Sequence, residues 1–143
     1  MSLAVGDPLA HRALEAILRA ETNLRRELGP DLERQGLSPA GFSALVVLTT
    51  AGGVLELRVL RNRLRWSKAN ATEVTGTLAA AGLITRRRDD RDRRAVILEI
   101  LPAGSDLVQN VFPGHTRRVS RAFEGLDEAE KRSLAELCRK IAA

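Results

Sequence analysis

Residues 82–104 have the sequence GLITRRRDDRDRRAVILEILPAG, and this stretch decides the fold. The segments 83–86 and 95–101 alternate with a period of about two residues and are rich in β-branched side chains, which is typical of strands. Every one of the eight residues between them, 87–94, is charged. Because so hydrophilic a run does not enter a core, the pattern predicts a β-hairpin with a long, exposed connection.

Two short helices are predicted directly before this hairpin. Apolar side chains at spacings of three and four predict a helix from about Leu55 to Arg65. Ser67 is then the N-cap of a second helix, 67–81, which ends at Gly82. The short gap between the two is the spacing of a helix-turn-helix, and a hairpin placed behind it makes the unit a winged helix.

Further helices are predicted toward the N-terminus. Apolar periodicity predicts one from Pro8 to Leu28, and Gly29-Pro30 is expected to stop it. Another begins at Ser38, an N-cap followed by proline at the first helical position, and ends at Gly52-Gly53.

Two helices are also predicted after the hairpin. Pro102 opens the first, and Pro113-Gly114 is expected to kink or break it. Asp127 and Glu130 have the spacing of a capping box that starts the second. The predicted fold is therefore mainly α with a small β-hairpin. It has three parts: 8–36, 37–102 (the winged helix-turn-helix) and 103–142.

Charge is concentrated in the middle of the chain. The whole sequence has a net charge of +5, whereas residues 56–94 alone contain eleven bases and five acids. A basic centre indicates a module that binds a polyanion, although an arginine-rich solvated surface would give the same count. Because the only aromatic residues are three Phe and one Trp, single-strand binders that stack bases are disfavoured and duplex DNA remains.

The sequence offers little for catalysis. One cysteine and two histidines leave no disulfide framework and no metal cluster. We find no nucleophile–histidine set, no P-loop and no acid–base pair on one face, so neither an enzyme nor a cofactor is expected. The absence of a run of about 18 apolar residues predicts no membrane span, and a reducing cytoplasm is the expected setting.

The hairpin and its flanks resemble the signature of the MarR family of bacterial transcriptional regulators. The matching residues are Gly82-Leu83-Ile84-Thr85-Arg86, Asp89, Asp92-Arg93-Arg94, Leu101 and Gly104. Pro102 departs from the pattern, because the family usually has threonine there. The resemblance covers residues 8 to 142. It implies a regulator, usually a repressor, that binds double-stranded DNA through a winged helix-turn-helix.

The resemblance also assigns roles within the hairpin. It implies that Arg94 enters the minor groove and that Asp92 fixes the direction of Arg94. Arg91 and Arg93 would then contact flanking phosphates, and Arg86 matches the family's phosphate-binding arginine. A charged, solvated loop is the alternative interpretation.

The helix 67–81 is the predicted recognition helix. With Ala71, Val74, Thr75 and Leu78 facing inward, the predicted DNA-contacting residues are Ser67, Lys68, Ala69, Asn70, Thr72, Glu73 and Thr77. Asn70 suits adenine, Lys68 guanine, and Thr72 a base or a thymine methyl group. Ser67 and the helix N-terminus favour a phosphate, while ordinary solvated positions remain the alternative.

Glu73 is unusual on a face that meets DNA, because a carboxylate weakens non-specific affinity. It could accept a hydrogen bond from cytosine N4. It could also pair with an arginine in the same helical layer, which is the interpretation that the sequence favours.

The outer helices carry more apolar surface than a small winged domain covers. The resemblance implies that the helices of 8–36 and 103–142 form a homodimer interface. Two recognition helices about 34 Å apart would then meet an inverted repeat of about 15–20 base pairs. The alternative is a winged-helix module that binds protein and not DNA, which would not need a basic wing.

A small phenolic or anionic effector is a further partner that the resemblance implies. His11, Arg12 and His115 are candidates for lining its cleft, although surface or dimer-packing roles are favoured. Pro113-Gly114 is a candidate hinge, with a static kink favoured. Cys138 lies on an apolar stripe and is expected to be a buried packing residue, not a redox sensor.

Overall fold

A computed structural model describes residues 6–142. The elements are α1 (Pro8–Arg34), α2 (Pro39–Thr50), β1 (Val54–Glu56), α3 (Leu57–Leu64), α4 (Lys68–Ala80), β2 (Ile84–Arg88), β3 (Val96–Ile100), α5 (Pro102–Ala122) and α6 (Glu128–Ala142). The predicted fold class, mainly helical with a small sheet, is confirmed. No helix within 6–142 is both long enough and apolar enough to cross a bilayer.

The chain forms two compact units. One comprises residues 31–114, and the other combines the segments before and after it. The core of the 31–114 unit is built mainly from leucines, among which Leu45, Leu60 and Leu98 are completely buried. These come from α2, α3 and β3 respectively, and each contributes about 1.5–3 kcal/mol of hydrophobic stabilisation. The core therefore fixes the helix-turn-helix against the sheet.

The sheet has three antiparallel strands in the order β1-β3-β2. The predicted hairpin is confirmed, with Arg88 paired to Val96, so that β2 takes in two residues assigned to the connection. The prediction that the third helix starts near Leu55 is wrong, because β1 pairs with the free edge of β3 there. Gly52 and Gly53, with φ of 88° and 94°, form the turn that places β1 beside that edge of β3.

Helix α1 does not stop at Gly29-Pro30 but continues to Arg34, so that predicted end is wrong. A proline inside a helix costs about 3 kcal/mol. Burial of Leu32, which is 2% exposed in the core, offsets much of this cost. The helix is terminated instead at Gly36, with φ of 75°, where the Leu37 N–H donates to the Leu32 carbonyl at 2.8 Å.

Helix α5 also runs through its internal proline. It continues without a break past Pro113-Gly114, because one missing hydrogen bond leaves the rest of a 21-residue ladder intact. The capping box of α6 is confirmed. The Asp127 N–H donates to Glu130 Oε1 at 3.0 Å, and the Glu130 N–H donates to Asp127 Oδ1 at 2.8 Å.

The unit formed by the two ends of the chain exposes apolar side chains on both α1 and α6. They are Leu9, Leu14, Ile17, Leu18, Leu134, Leu137 and Ile141, with exposures between 40% and 71%. Cys138 lies among those of α6 and is exposed, so the prediction that it is buried is wrong for the single chain. In a single chain, these apolar side chains of α1 and α6 are therefore in contact with solvent.

Candidate nucleic-acid interface

Helix α4 is oriented by its cap and by its buried face. The Asn70 N–H donates to the Ser67 Oγ at 3.1 Å, which confirms the predicted N-cap. Ala71, Thr75 and Leu78 are buried as predicted. Because the Thr75 Oγ1 donates to the Ala71 carbonyl at 2.7 Å, this buried hydroxyl is satisfied within the helix.

The opposite face of α4 is open to solvent and polar. Its exposed residues are Lys68, Ala69, Asn70, Thr72, Glu73 and Thr77, and the cap residue Ser67 is exposed beside them. The favoured pairing of Glu73 with an arginine is not formed, since within residues 6–142 the Glu73 carboxylate has no ion-pair partner. The Thr77 hydroxyl donates to the Glu73 backbone carbonyl at 3.1 Å, which leaves the carboxylate itself available.

The tip of the wing holds one arginine in a defined direction. Asp92 Oδ1 accepts from the Arg94 N–H at 3.1 Å and from the Arg94 Nε at 3.2 Å. The Arg94 side chain is nevertheless 93% exposed. The structure therefore brings together the two residues that the resemblance pairs and leaves the Arg94 side chain open to solvent.

The rest of the wing connection is ordered by its own short side chains. Asp89 Oδ1 accepts from the Arg91 N–H at 3.1 Å, and the Asp89 N–H donates to the Ala95 carbonyl at 3.0 Å. Arg88 Nη1 donates to the Arg93 carbonyl at 3.2 Å. Such turns restrict the backbone, so the exposed Arg91 and Arg93 project from a fixed loop.

Arg86 lies on β2 and extends toward α4. Its Nη1 donates to the backbone carbonyl of Thr72 at 3.2 Å. A Cβ added at Gly76 would lie 3.1 Å from the same nitrogen. The residue predicted to bind phosphate is therefore engaged with the recognition helix in the free protein.

A groove of about 540 Å³ runs between α3, α4 and the wing. Its charged lining residues are Glu56, Arg58, Arg61, Lys68, Asp92 and Arg94. Arg58 is partly neutralised by Glu56 at 3.6 Å, whereas Arg61 has no such partner among the described residues. The groove therefore joins the wing tip to the start of α4 through a mainly basic surface.

Sequence reasoning missed three arginines, two of them in α3 and one at its C-cap. Arg58 and Arg61 line this groove, and Arg61 and Arg65 line a second depression that also includes Ser67. The signal was present in the sequence, because spacings of three and four place these arginines on one helical face. Arg65 also adopts a left-handed conformation, with φ of 57°, where α3 ends.

Helices α3 and α4, followed by a hairpin with an arginine at its tip, define a winged helix-turn-helix protein. A family model described as "MarR family" matches residues 35–95. The uncharacterized HTH-type transcriptional regulator YkoM of Bacillus subtilis is 31% identical over 110 residues, which are 77% of this chain and 71% of YkoM. The chain belongs to the MarR family and is a transcriptional regulator, not an enzyme.

Other similar proteins add to this comparison. The transcriptional repressor MprA of Escherichia coli is 29% identical over 111 residues, 77% of this chain and 63% of MprA. Sco3205, a MarR family regulator from Streptomyces coelicolor solved in complex with DNA, has a TM-score of 0.87 at 21% identity, covering 99% of this chain and 90% of Sco3205. BpsR of Bordetella bronchiseptica, whose DNA binding is regulated by 6-hydroxynicotinic acid, has a TM-score of 0.78 at 25% identity. The similarity covers 99% of this chain and 98% of BpsR.

Proposed function

We propose that this protein is a homodimeric repressor that binds double-stranded DNA at an inverted repeat. The observation that carries the proposal is the exposed Arg94, held by Asp92 beside the polar face of α4. In this assignment residues 37–102 bind DNA, and the helices of 8–36 and 103–142 join two copies.

Helix α4 enters the major groove in this proposal. It is about 20 Å long at 1.5 Å per residue, which matches the reach of recognition helices in that groove. Lys68, Asn70 and Thr72 contact base edges, and Ser67 with the first amides of the helix contacts a phosphate. Because its carboxylate is unpaired, Glu73 accepts a hydrogen bond from cytosine N4 and disfavours other bases at that position.

The wing lies along the adjacent minor groove. Arg94 inserts where an A-tract narrows the groove and strengthens its negative potential. Arg91 and Arg93 contact the phosphates on either side, and these contacts carry no sequence information. Sequence preference at the wing therefore reflects groove width.

The apolar side chains on α1 and α6 support the homodimer. Contiguous exposed apolar surface on a soluble chain marks a contact surface, and a second copy buries it symmetrically.

We expect Leu137→Glu to lower the sedimentation coefficient to that of a monomer, because a buried carboxylate opposes association. Glu136→Lys, on the opposite face of α6, is the matched control and should remain dimeric. A monomeric wild type would exclude this part of the proposal.

Repression and release by a small molecule are supported by relatives. MprA is a transcriptional repressor, and the DNA binding of BpsR is regulated by a small aromatic acid. A ligand releases DNA only if it binds the DNA-free form more tightly. The probes are 6-hydroxynicotinate, which is a hydroxypyridine carboxylate, and 4-hydroxybenzoate, which is a phenolic acid. At least one of them should lower DNA affinity in a saturable manner. If neither has an effect, the support for a hydroxylated aromatic acid as effector is removed.

Fluorescence anisotropy with a labelled duplex tests DNA binding directly. Each phosphate contact contributes about −0.9 to the slope of log affinity against log salt, so we expect a slope of several units. Arg94→Ala should weaken binding while the protein stays dimeric. A slope near zero or no binding would instead favour the protein-interaction module.

A further inference from the structure

We propose that Arg86 is a positioning residue, which holds the recognition helix α4 against the sheet by bonding its backbone and does not serve as a phosphate contact. The DNA-binding consequences of this inference rest on the proposed function. One of its tests uses the free protein alone.

The bond joins two parts of the DNA-binding unit. Arg86 Nη1 donates at 3.2 Å to the Thr72 carbonyl, which lies 14 positions earlier in the sequence. Thr72 is in the second turn of α4, and it is itself one of the residues proposed to contact bases. A hydrogen bond at this point therefore acts on the part of the helix whose placement in the groove decides base contacts.

The base of the Arg86 side chain is rigidly held. Arg86 pairs with Leu98 of the central strand, and Leu98 is completely buried. Because side chains alternate along a strand, Arg86 is on the same face as Ile84, which is 1% exposed in the core. The guanidinium thus reaches α4 from a strand that cannot shift without disturbing the core.

Gly76 provides the space for this contact. A Cβ at Gly76 would lie 3.1 Å from Arg86 Nη1, which is tighter than nine in ten real Cβ contacts. Glycine inside a helix is less favourable than alanine, because it loses more backbone freedom on folding. A glycine this close to Arg86 Nη1 is explained if the arginine must reach the helix backbone at this point.

Salt dependence and specificity distinguish the two roles in DNA binding. A phosphate contact weakens all duplexes alike when removed and reduces the salt slope by about 0.9. A positioning residue leaves the slope unchanged and weakens the specific duplex more than a random one. For Arg86→Ala we expect about a tenfold fall in the ratio of specific to non-specific affinity, as for the loss of one good base contact.

Arg87→Ala is the matched control. Arg87 follows directly on β2, is exposed and has the same charge, but it lies on the opposite face of the strand. The affinity ratio should be unchanged in this variant. If Arg86→Ala instead lowers the slope by about 0.9 relative to wild type and leaves the ratio unchanged, the positioning role is overturned.

Hydrogen exchange in the free protein tests the same claim without DNA. The Gly76 amide donates to the Thr72 carbonyl within α4, so this amide reports on the bonded turn. Arg86→Ala should raise its exchange rate severalfold, while Arg87→Ala should not. Equal rates in the two variants would overturn the inference. If the protein bound no DNA at all, the proposed function would fail while this result would still decide the role of Arg86.

Gly76→Ala approaches the contact from the helix side. It should shift the guanidinium by a few tenths of an ångström and lower the affinity ratio by no more than Arg86→Ala does, although alanine itself stabilises a helix. If both changes break one contact, the double variant should be no worse than Arg86→Ala alone. Fully additive losses would contradict the proposed contact.

Discussion

Replacing Asp92 by alanine should weaken DNA binding, even though it removes a negative charge from the surface proposed to face DNA. Electrostatics alone predicts the opposite sign, because losing a carboxylate beside phosphates favours association. The expected loss arises because Asp92 Oδ1 holds both the backbone N–H and the Nε of Arg94. Without Asp92, Arg94 must be ordered at the moment of binding.

The magnitude follows from these two hydrogen bonds. Each is worth about 0.5–1 kcal/mol, a value reduced from that of a buried charged bond because both side chains are substantially exposed. Together they amount to about 1–2 kcal/mol, which corresponds to about a 5- to 30-fold loss of affinity at 1.4 kcal/mol per factor of ten. Removal of the repulsive charge offsets part of this loss, so the lower end is expected.

Anisotropy titration of a specific duplex measures the effect. Asp90→Ala is the control, because Asp90 is an exposed carboxylate in the same loop with no side-chain hydrogen bond among the described residues. It should bind DNA slightly more tightly than wild type. Asp92→Asn, which keeps an acceptor oxygen, should fall between wild type and Asp92→Ala. Equal or tighter binding by Asp92→Ala would refute the reasoning.

Three further predictions concern stability and assembly. Gly104→Ala would place a Cβ 2.3 Å from the Leu83 carbonyl oxygen, so urea unfolding should show that the free energy of unfolding falls by about 3 kcal/mol or more. Gly29→Ala, whose Cβ would have nothing within 4 Å, should raise the free energy of unfolding by about 0.5–1 kcal/mol. Equal effects of the two substitutions would contradict this account. Burial lowers the pKa of His115, so its unfolded form binds a proton more readily. The contribution of His115 to stability should therefore be full above about pH 6.5 and be lost as the pH falls from there through the lowered pKa of the folded protein. His115→Gln should flatten the pH profile measured by urea unfolding, and an unchanged profile would refute the role of His115. Cys138 should react slowly with a thiol reagent in the dimer and faster on dilution to monomer, and a rate independent of concentration would argue against burial of α6.

The recognition helix and the wing were predictable because their determinants are local. Ser67 caps the helix three residues ahead of the amide that it binds, and Asp92 holds an arginine two residues away. Charge order and capping residues are visible in a short window of sequence. The side chains of α4 that face the core followed from helical periodicity for the same reason.

The errors arose where distant residues decide the structure. Strand β1 exists because β3 offers a free edge, and a three-residue strand has no period of its own to detect. Helix α1 passes Pro30 because Leu32 is buried in the core. The bond from Arg86 to Thr72 likewise depends on how β2 packs against α4, so the sequence indicated a basic residue without its partner.

Selection of bound sequences from random duplex DNA, with the wild-type protein, tests the central claim most directly. If paired copies each place α4 in a major groove, the selected sites should be inverted repeats whose half-sites are centred about 10–11 base pairs apart. An A/T-rich segment should lie where the wing meets the minor groove. Selected sites without two-fold symmetry, or no enrichment over the random pool, would contradict the claim.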